Sequence, residues 1–324
     1  MTRFRSILVA TDFSDHATHA VRRGALLAKH HAARLSLLHV VNPSGSRPLR
    51  QWFSPSIDVD LKAAQARATL RQFAAEITGR HGLRPRCRVV VGESFDEIRR
   101  ASEGADLVVL GQRGWNPLKE LVIGSTVDRL LRSGRRPTLV VKQPVAGVYR
   151  RILVPVDFTS HSEVCLQMAG RLAPKAEVQV FHALASSQEF QLRMAGMPSA
   201  AIRDHSDIED MKWHLRMQSI AAQVGIESGR LGTVVQRGPA WACTLGQADA
   251  YGADLIAVAK HGSSAMADFF LGSVTRRLLA TAKCNLLVTP PASAERIRTE
   301  PVASQTDRPA MRTTREPAAA ANTD

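Results

Sequence analysis

The chain has 324 residues, of which 44% are hydrophobic and 22% charged, with a formal net charge of +14 and a pI near 10.6. That length holds about two ordinary domains, each able to bury a core, and no apolar run approaches the roughly 18 residues of a membrane span, so a soluble protein is expected. The basic residues are dispersed, with doublets such as Arg22-Arg23, Arg99-Arg100, Arg135-Arg136 and Arg276-Arg277 on predicted helices or at their ends, which favours a solvated basic surface over a nucleic-acid footprint.

The chain opens MTRFRSILVATDFS, where a short apolar run stops at Asp12 and not at a small-residue cleavage site, so no secretory signal is expected. Cys87, Cys165, Cys243 and Cys284 lack C-x-x-C pairing, which argues against a disulfide framework or a zinc site and for a reduced, cytoplasmic setting. Short Val/Ile/Leu runs predict strands at Ser6–Ala10, Leu35–Val41, Arg86–Val91, Leu107–Leu110 and Thr138–Lys142. Amphipathic helices are predicted between them, over Asp15–His30, Leu61–His81, Phe95–Ser102 and Thr126–Ser133.

The pattern then starts again. RSILVATDFS at 5–14 matches RRILVPVDFT at 150–159, GADL at 104–107 matches GADL at 252–255, and Gly124-Ser125 matches Gly272-Ser273. Strands at Ile152–Val156, Glu177–Ala183, Thr233–Gln236, Leu255–Ala259 and Asn285–Thr289 follow, with a long central helix around Ile208–Val224. Domains are therefore expected at 1–145 and 146–292, with a disordered tail at 293–324, where large apolar residues nearly vanish. Apolar strands alternating with amphipathic helices indicate α/β domains, each a doubly wound parallel sheet covered on both faces.

In such sheets ligands bind beyond the carboxyl ends of the strands, where the strand order reverses. Two loops stand out there: Ala10-Thr11-Asp12 after the first strand, and the stretch after Leu110, where Gly111, Gly114 and Gly124 are followed by Ser125 and Thr126. Gly111 and Gly114 allow positive φ and remove Cβ atoms that would keep a ligand from the backbone. Gly124-Ser125-Thr126 opens a helix, whose free N–H groups and adjoining hydroxyls suit a phosphate. The plainer reading has the glycines making a turn, Gly124-Ser125 starting a helix and Asp12 capping one; the combination of both glycine sites with an aspartate at the paired strand end favours a phosphate or nucleotide site.

VATDFS at 9–14, LLHV at 37–40 and the G-x-x-G-x(9)-G-S/T motif from Gly111 to Thr126 resemble the universal stress protein family in its ATP-binding class, and the resemblance covers nearly all of residues 1–290. It implies an adenine nucleotide alpha hydrolase-like fold, with strand order 3-2-1-4-5 in each of two domains packed as a pseudo-dimer or, between chains, a homodimer. It also implies ATP, with or without magnesium, held by Ala10, Thr11, Asp12, Val40 and Leu110 at the adenosine end and by Gly111, Arg113, Gly114, Gly124, Ser125 and Thr126 along the phosphates. The second copy offers a weaker candidate site at Val156, Asp157, Gly262, Gly272, Ser273 and Val274: Ala259 stands where the first glycine would be, and Lys260 or His261 could add positive charge.

The functional expectation is an ATP-binding regulatory protein of the stress response; the alternatives are a nucleotide-free scaffold or a slow ATP hydrolase. A G-x(4)-G-K-[ST] loop and paired carboxylates beside the glycine motif are both missing from the sequence, which disfavours efficient turnover. His39 and His182, at equivalent strand positions, read as core or crevice-lining residues. Cys243 and Cys284 read as small buried hydrophobes, and Met194, Met197 and Met211 as gap-filling contacts.

Overall fold

The computed structural model describes residues 3–43, 55–112, 123–184, 194–260 and 270–291, with side chains of the second segment from residue 59. Its first half runs β1 (Ser6–Ala10), α1 (Asp15–His31), β2 (Arg34–Val41), α2 (Pro55–His81), β3 (Arg86–Val91), α3 (Ser94–Ser102), β4 (Leu107–Gly111), α4 (Ser125–Ser133) and β5 (Thr138–Val141). The second runs β6 (Arg151–Pro155), α5 (Ser160–Leu172), β7 (Glu177–Leu184), α6 (Ser199–Gln223), β8 (Leu231–Arg237), α7 (Ala240–Tyr251), β9 (Leu255–Ala259), α8 (Ser273–Thr281) and β10 (Asn285–Thr289).

The strands line up as β3-β2-β1-β4-β5-β10-β9-β6-β7-β8. Each half has the order 3-2-1-4-5, with parallel neighbours throughout, so each is a doubly wound α/β unit. The two sheets are joined into one, because β5 and β10 pair antiparallel with Leu139 opposite Leu287. The pseudo-dimer is thus a continuous ladder of ten strands that leaves neither β5 nor β10 as an open edge.

Alternation along the strands explains why the apolar runs are unbroken. Ile7, Val9, Leu107, Val109, Leu139 and Val141 point to one face, where they meet α1, α2, α5 and α6. Leu8, Ala10, Val108, Leu110 and Val140 point to the other, against α3, α4, α7 and α8. Both layers run through the seam, so the halves share one core on each side of the sheet.

Local signals set the helix ends. Ser14 caps α1 by accepting the Ala17 N–H, Asp15 lies in the first turn, Lys29, His30 and His31 lie in the last, and Ala32 closes the helix at φ 53°. Two helices begin earlier than the periodicity indicates, α2 at Pro55 and α6 at Ser199. In α6 the first turns bury only Ile202, so they lack the apolar repeat that would reveal a helix. The methionines expected to fill gaps do not: Met194, Met197 and Met211 are 74%, 40% and 62% exposed, the last because α6 turns its opposite face to the sheet through Met217, Ile220 and Ala221. Of the two cysteines read as buried, Cys284 is buried and Cys243 half-buried.

Candidate functional site

β1 lies between β2 and β4, and the chain leaves it toward β2 on one side and returns through β4 on the other, so the switch point of the first half is at the carboxyl end of β1. Ala10, Thr11 and Asp12, the end of β2 with His39 and Val40, and the end of β4 with Leu110 and Gly111 meet along that edge. Ala10, Val40 and Leu110 belong to the apolar layer on the α3/α4 side, and Asp12 stands exposed above it.

The loop after β1 is tightly held. Thr11 donates its N–H to Leu38 O (2.9 Å), and its own Oγ1 accepts from Phe13 N (3.1 Å). Asp12 does not cap α1; its Oδ1 accepts from the Ser14 hydroxyl (2.6 Å) and Ser14 N–H (3.1 Å), and Ser14 is the cap. Between them Phe13 takes φ 66°, a left-handed conformation that costs a side-chain-bearing residue about 1 kcal/mol or more. Its ring stacks on His39 at 4.2 Å between centroids, and His39 Nδ1 donates to Thr11 O (2.8 Å). Burial holds the His39 imidazole below its ordinary pKa although the bond to Thr11 opposes this, which matches a neutral ring protonated at Nδ1.

The same device is built into the second half, with Phe158 at φ 61° and His182 Nδ1 on Val156 O at 2.8 Å. Neither phenylalanine nor the histidine contact stood out in the sequence, although the repeated Asp-Phe-Ser/Thr tripeptide carried the signal.

The glycine motif is partly within view. Arg113, Gly114 and Gly262 lie outside the described residues. Gly111 does not adopt positive φ, and the space its missing Cβ would take is filled by the backbone of α1, 2.7 Å from His16 C and 2.8 Å from Ala17 N. Its smallness lets α1 approach the end of β4. Gly124 is the N-cap of α4 at φ −55°, ψ 137° and supplies no side-chain cap; Ser125 is exposed and Thr126 half-buried beside it. The bond from Gly124 N to Gln112 O (3.2 Å) brings the start of α4 back to the end of β4.

In the second half Gly272 N bonds Lys260 O in the same way (2.9 Å), and Gly272 is again the N-cap, followed by exposed Ser273 and half-buried Val274. Two features separate the copies. Lys260 adds no charge to this crevice: it is 3% exposed and its ammonium donates across the seam to Arg132 O at the end of α4. Asp157 is held by a different set of donors from Asp12, its Oδ1 accepting from Thr159 Oγ1 (2.7 Å), Thr159 N (3.2 Å) and Ser162 Oγ (2.8 Å). Burial pushes the Asp157 carboxyl up, and these bonds outweigh it and hold it below its ordinary value of 3.8.

A depressed carboxylate contributes stability that is present above its unfolded pKa and lost as pH falls through the folded one. Ser162→Ala is therefore expected to raise the Asp157 titration toward the ordinary range, seen by carbon-13 NMR of the carboxyl. An unchanged midpoint would show that the Ser162 bond does not hold the charge.

The motif of Asp106 and Asp254 in the two GADL segments is structural. Asp106 accepts Arg5 N (2.6 Å) and Ser6 N (3.2 Å), and Asp254 accepts Arg150 N (2.7 Å) and Arg151 N (3.3 Å), tying each fourth strand to the start of the first. Among the described residues no group of three or more His, Cys, Asp or Glu could hold a metal ion, and no helix is long and apolar enough to cross a membrane.

A model of the Universal stress protein family matches residues 3–142 and again 148–290. Universal stress protein A homolog 2 of Coxiella burnetii is 32% identical over 143 residues, which cover 43% of this chain and 93% of that protein. Among solved structures, a universal stress protein from Archaeoglobus fulgidus superposes with a TM-score of 0.66 at 19% identity, over 88% of this chain and 98% of its own. A putative universal stress protein from Pseudomonas aeruginosa does so at 0.59 and 19%, over 90% and 95%. At these identities the structural matches speak to the fold.

Proposed function

The chain belongs to the universal stress protein family, and from that premise we propose that it is an ATP-binding regulatory protein of the stress response whose first half holds the nucleotide. The observation that supports this most is the convergence at one switch point of Asp12, an apolar floor of Ala10, Val40 and Leu110, and the start of α4, where Gly124 leaves the helix without a side-chain cap and Ser125 and Thr126 stand beside the free N–H groups. That donor set fits a phosphate chain by its chemistry. Arg113 and Gly114 complete the phosphate side in this reading, and magnesium accompanies the phosphates. The second-half site, at Val156, Asp157, Gly262, Gly272, Ser273 and Val274, is the weaker of the two, since Ala259 stands where the first half has Gly111. The setting is cytoplasmic, in keeping with four unpaired cysteines.

Calorimetric titration of ATP and of AMP, with and without magnesium, into the full chain and into Gly124→Val tests this. Saturable ATP binding at one or two sites per chain, lost or halved in the variant while its stability stays within about 1 kcal/mol of the wild type, is the expected result. No heat, together with an unshifted melting temperature at millimolar ATP, would overturn it and leave a nucleotide-free scaffold.

A further inference from the structure

β3 ends the row of ten strands, so one of its edges has no strand beside it among the described residues. The bond from Gly92 N to Val41 O sets which backbone groups face inward. Arg86, Arg88 and Val90 share the parity of Gly92 and turn toward β2, which leaves the N–H and C=O groups of Cys87, Val89 and Val91 on the open side. Arg86 and Arg88 are exposed on the sheet face where Val90 packs, the α3 side, and Arg34 on β2 is exposed on the same face, two residues before Ser36, the pairing partner of Arg86. Arg84 is exposed just ahead of β3. None of these four arginines has an ion pair among the described residues. Gathering them costs stability, because like charges at neighbouring strand positions repel. The second half shows that the fold does not require it. Strand pairing puts Glu177 at the place of Arg34, Gly232 at that of Arg86 and Val234 at that of Arg88, and Val234 packs on the apolar layer. Arg230, the counterpart of Arg84, is engaged by Pro174 O, Ala176 O (3.1 Å) and Glu227 (3.3 Å). Residues 1–145 also hold twice as many Lys and Arg as Asp and Glu, whereas the two nearly balance over 146–292.

We infer that the open edge of β3 takes an extended acidic segment of a partner protein as one further strand of the sheet. The backbone of that segment pairs with Cys87, Val89 and Val91, and carboxylates at alternate positions lie over Arg86 and Arg88, with Arg34 and Arg84 adding to the field. The same charges bar a second copy of β3, which would set arginine against arginine. A single nucleic-acid strand fits less well, since β3 has no aromatic side chain on which bases stack and its edge N–H and C=O groups suit another backbone. The edge lies two strands away from β1, and the inference does not depend on the nucleotide reading.

Fluorescence anisotropy of a labelled, end-blocked peptide of alternating Glu and Thr, long enough to span β3, is expected to saturate on the full chain with a Kd of about 10 to 100 µM, the range of a small contact. Arg86→Glu/Arg88→Glu should weaken that binding about tenfold or more and take up an alternating Lys and Thr peptide instead, with no fall in melting temperature because both side chains are exposed. Two peptides of unchanged charge, N-methylated at every Thr or at every Glu, separate strand addition from plain attraction. Only one of them should lose binding, because alternate N–H groups of an added strand point away from β3. No saturable binding of the Glu and Thr peptide, or binding that survives in the glutamate variant, would overturn the inference. So would equal binding of the two methylated peptides, or an oligothymidylate held as tightly by the same arginines.

Discussion

Gly111→Ala is expected to destabilise the protein by about 3 kcal/mol, the upper range for forcing a group into a packed site, and to lower its melting temperature by roughly 10 °C. A Cβ there would sit 2.7 Å from His16 C and 2.8 Å from both Ala17 N and His16 O, all backbone atoms of α1 that no side-chain rotation can clear. To accept it, α1 must lift from β4 and take with it the cap of Ser14 on Ala17 and the bonds of Asp12 on Ser14. Gly79→Ala in α2 is the control, since a Cβ there meets nothing within 4 Å, and replacing a helical glycine is neutral to stabilising by about 1 kcal/mol. Differential scanning calorimetry of the two variants separates the outcomes. A Gly111→Ala protein that melts with the wild type would mean that the close approach of α1 is not required. Thermal stability is thus expected to fall with Gly111→Ala even without nucleotide, so Gly124, not Gly111, is the position at which to test binding.

The second large effect is expected at the seam. Asn285, 2% exposed, accepts Lys142 N (2.8 Å) and Gln143 N (3.3 Å) on Oδ1 and donates from Nδ2 to Tyr149 Oη (3.0 Å). Burial drives the Tyr149 phenol far above its ordinary pKa, so it remains a neutral hydroxyl that needs a partner. Asn285→Leu would orphan the Lys142 N–H and that hydroxyl together, at a cost of about 3 kcal/mol from two buried unsatisfied groups. Around them Lys142 Nζ donates to Leu279 O (2.7 Å) and Ala282 O (2.6 Å) at the end of α8, and Lys260 does the same for α4 from the other half. Loosening this junction should split the single melting transition into two, read by calorimetry. A variant that melts as one transition at the wild-type temperature would show that the β5–β10 ladder and the shared apolar layers couple the halves without Asn285.

Much of this molecule follows from short-range order in the chain. The alternation of apolar runs with helical stretches depends on patterns repeated within a few residues, and β1, β3, β9 and β10 fall where those patterns put them, while the second copy shows as the same series restarting at Arg150 and the order of strands came from the family resemblance. Asp12, Gly124 and Ser125 likewise reach one edge, because a parallel doubly wound sheet sends every strand's carboxyl end the same way.

Other features depended on contacts between residues far apart in the chain. Gly111 reads from sequence as room for a ligand, yet the atoms filling that room come from the start of α1. Lys260 reads as a charge for a crevice, yet the seam draws it to α4. Met211 reads as core, yet α6 buries its opposite face. A local pattern records which residues are apolar, small or charged; which neighbour each one meets is decided only when β5 and β10 join and the helices settle on the two faces of one sheet.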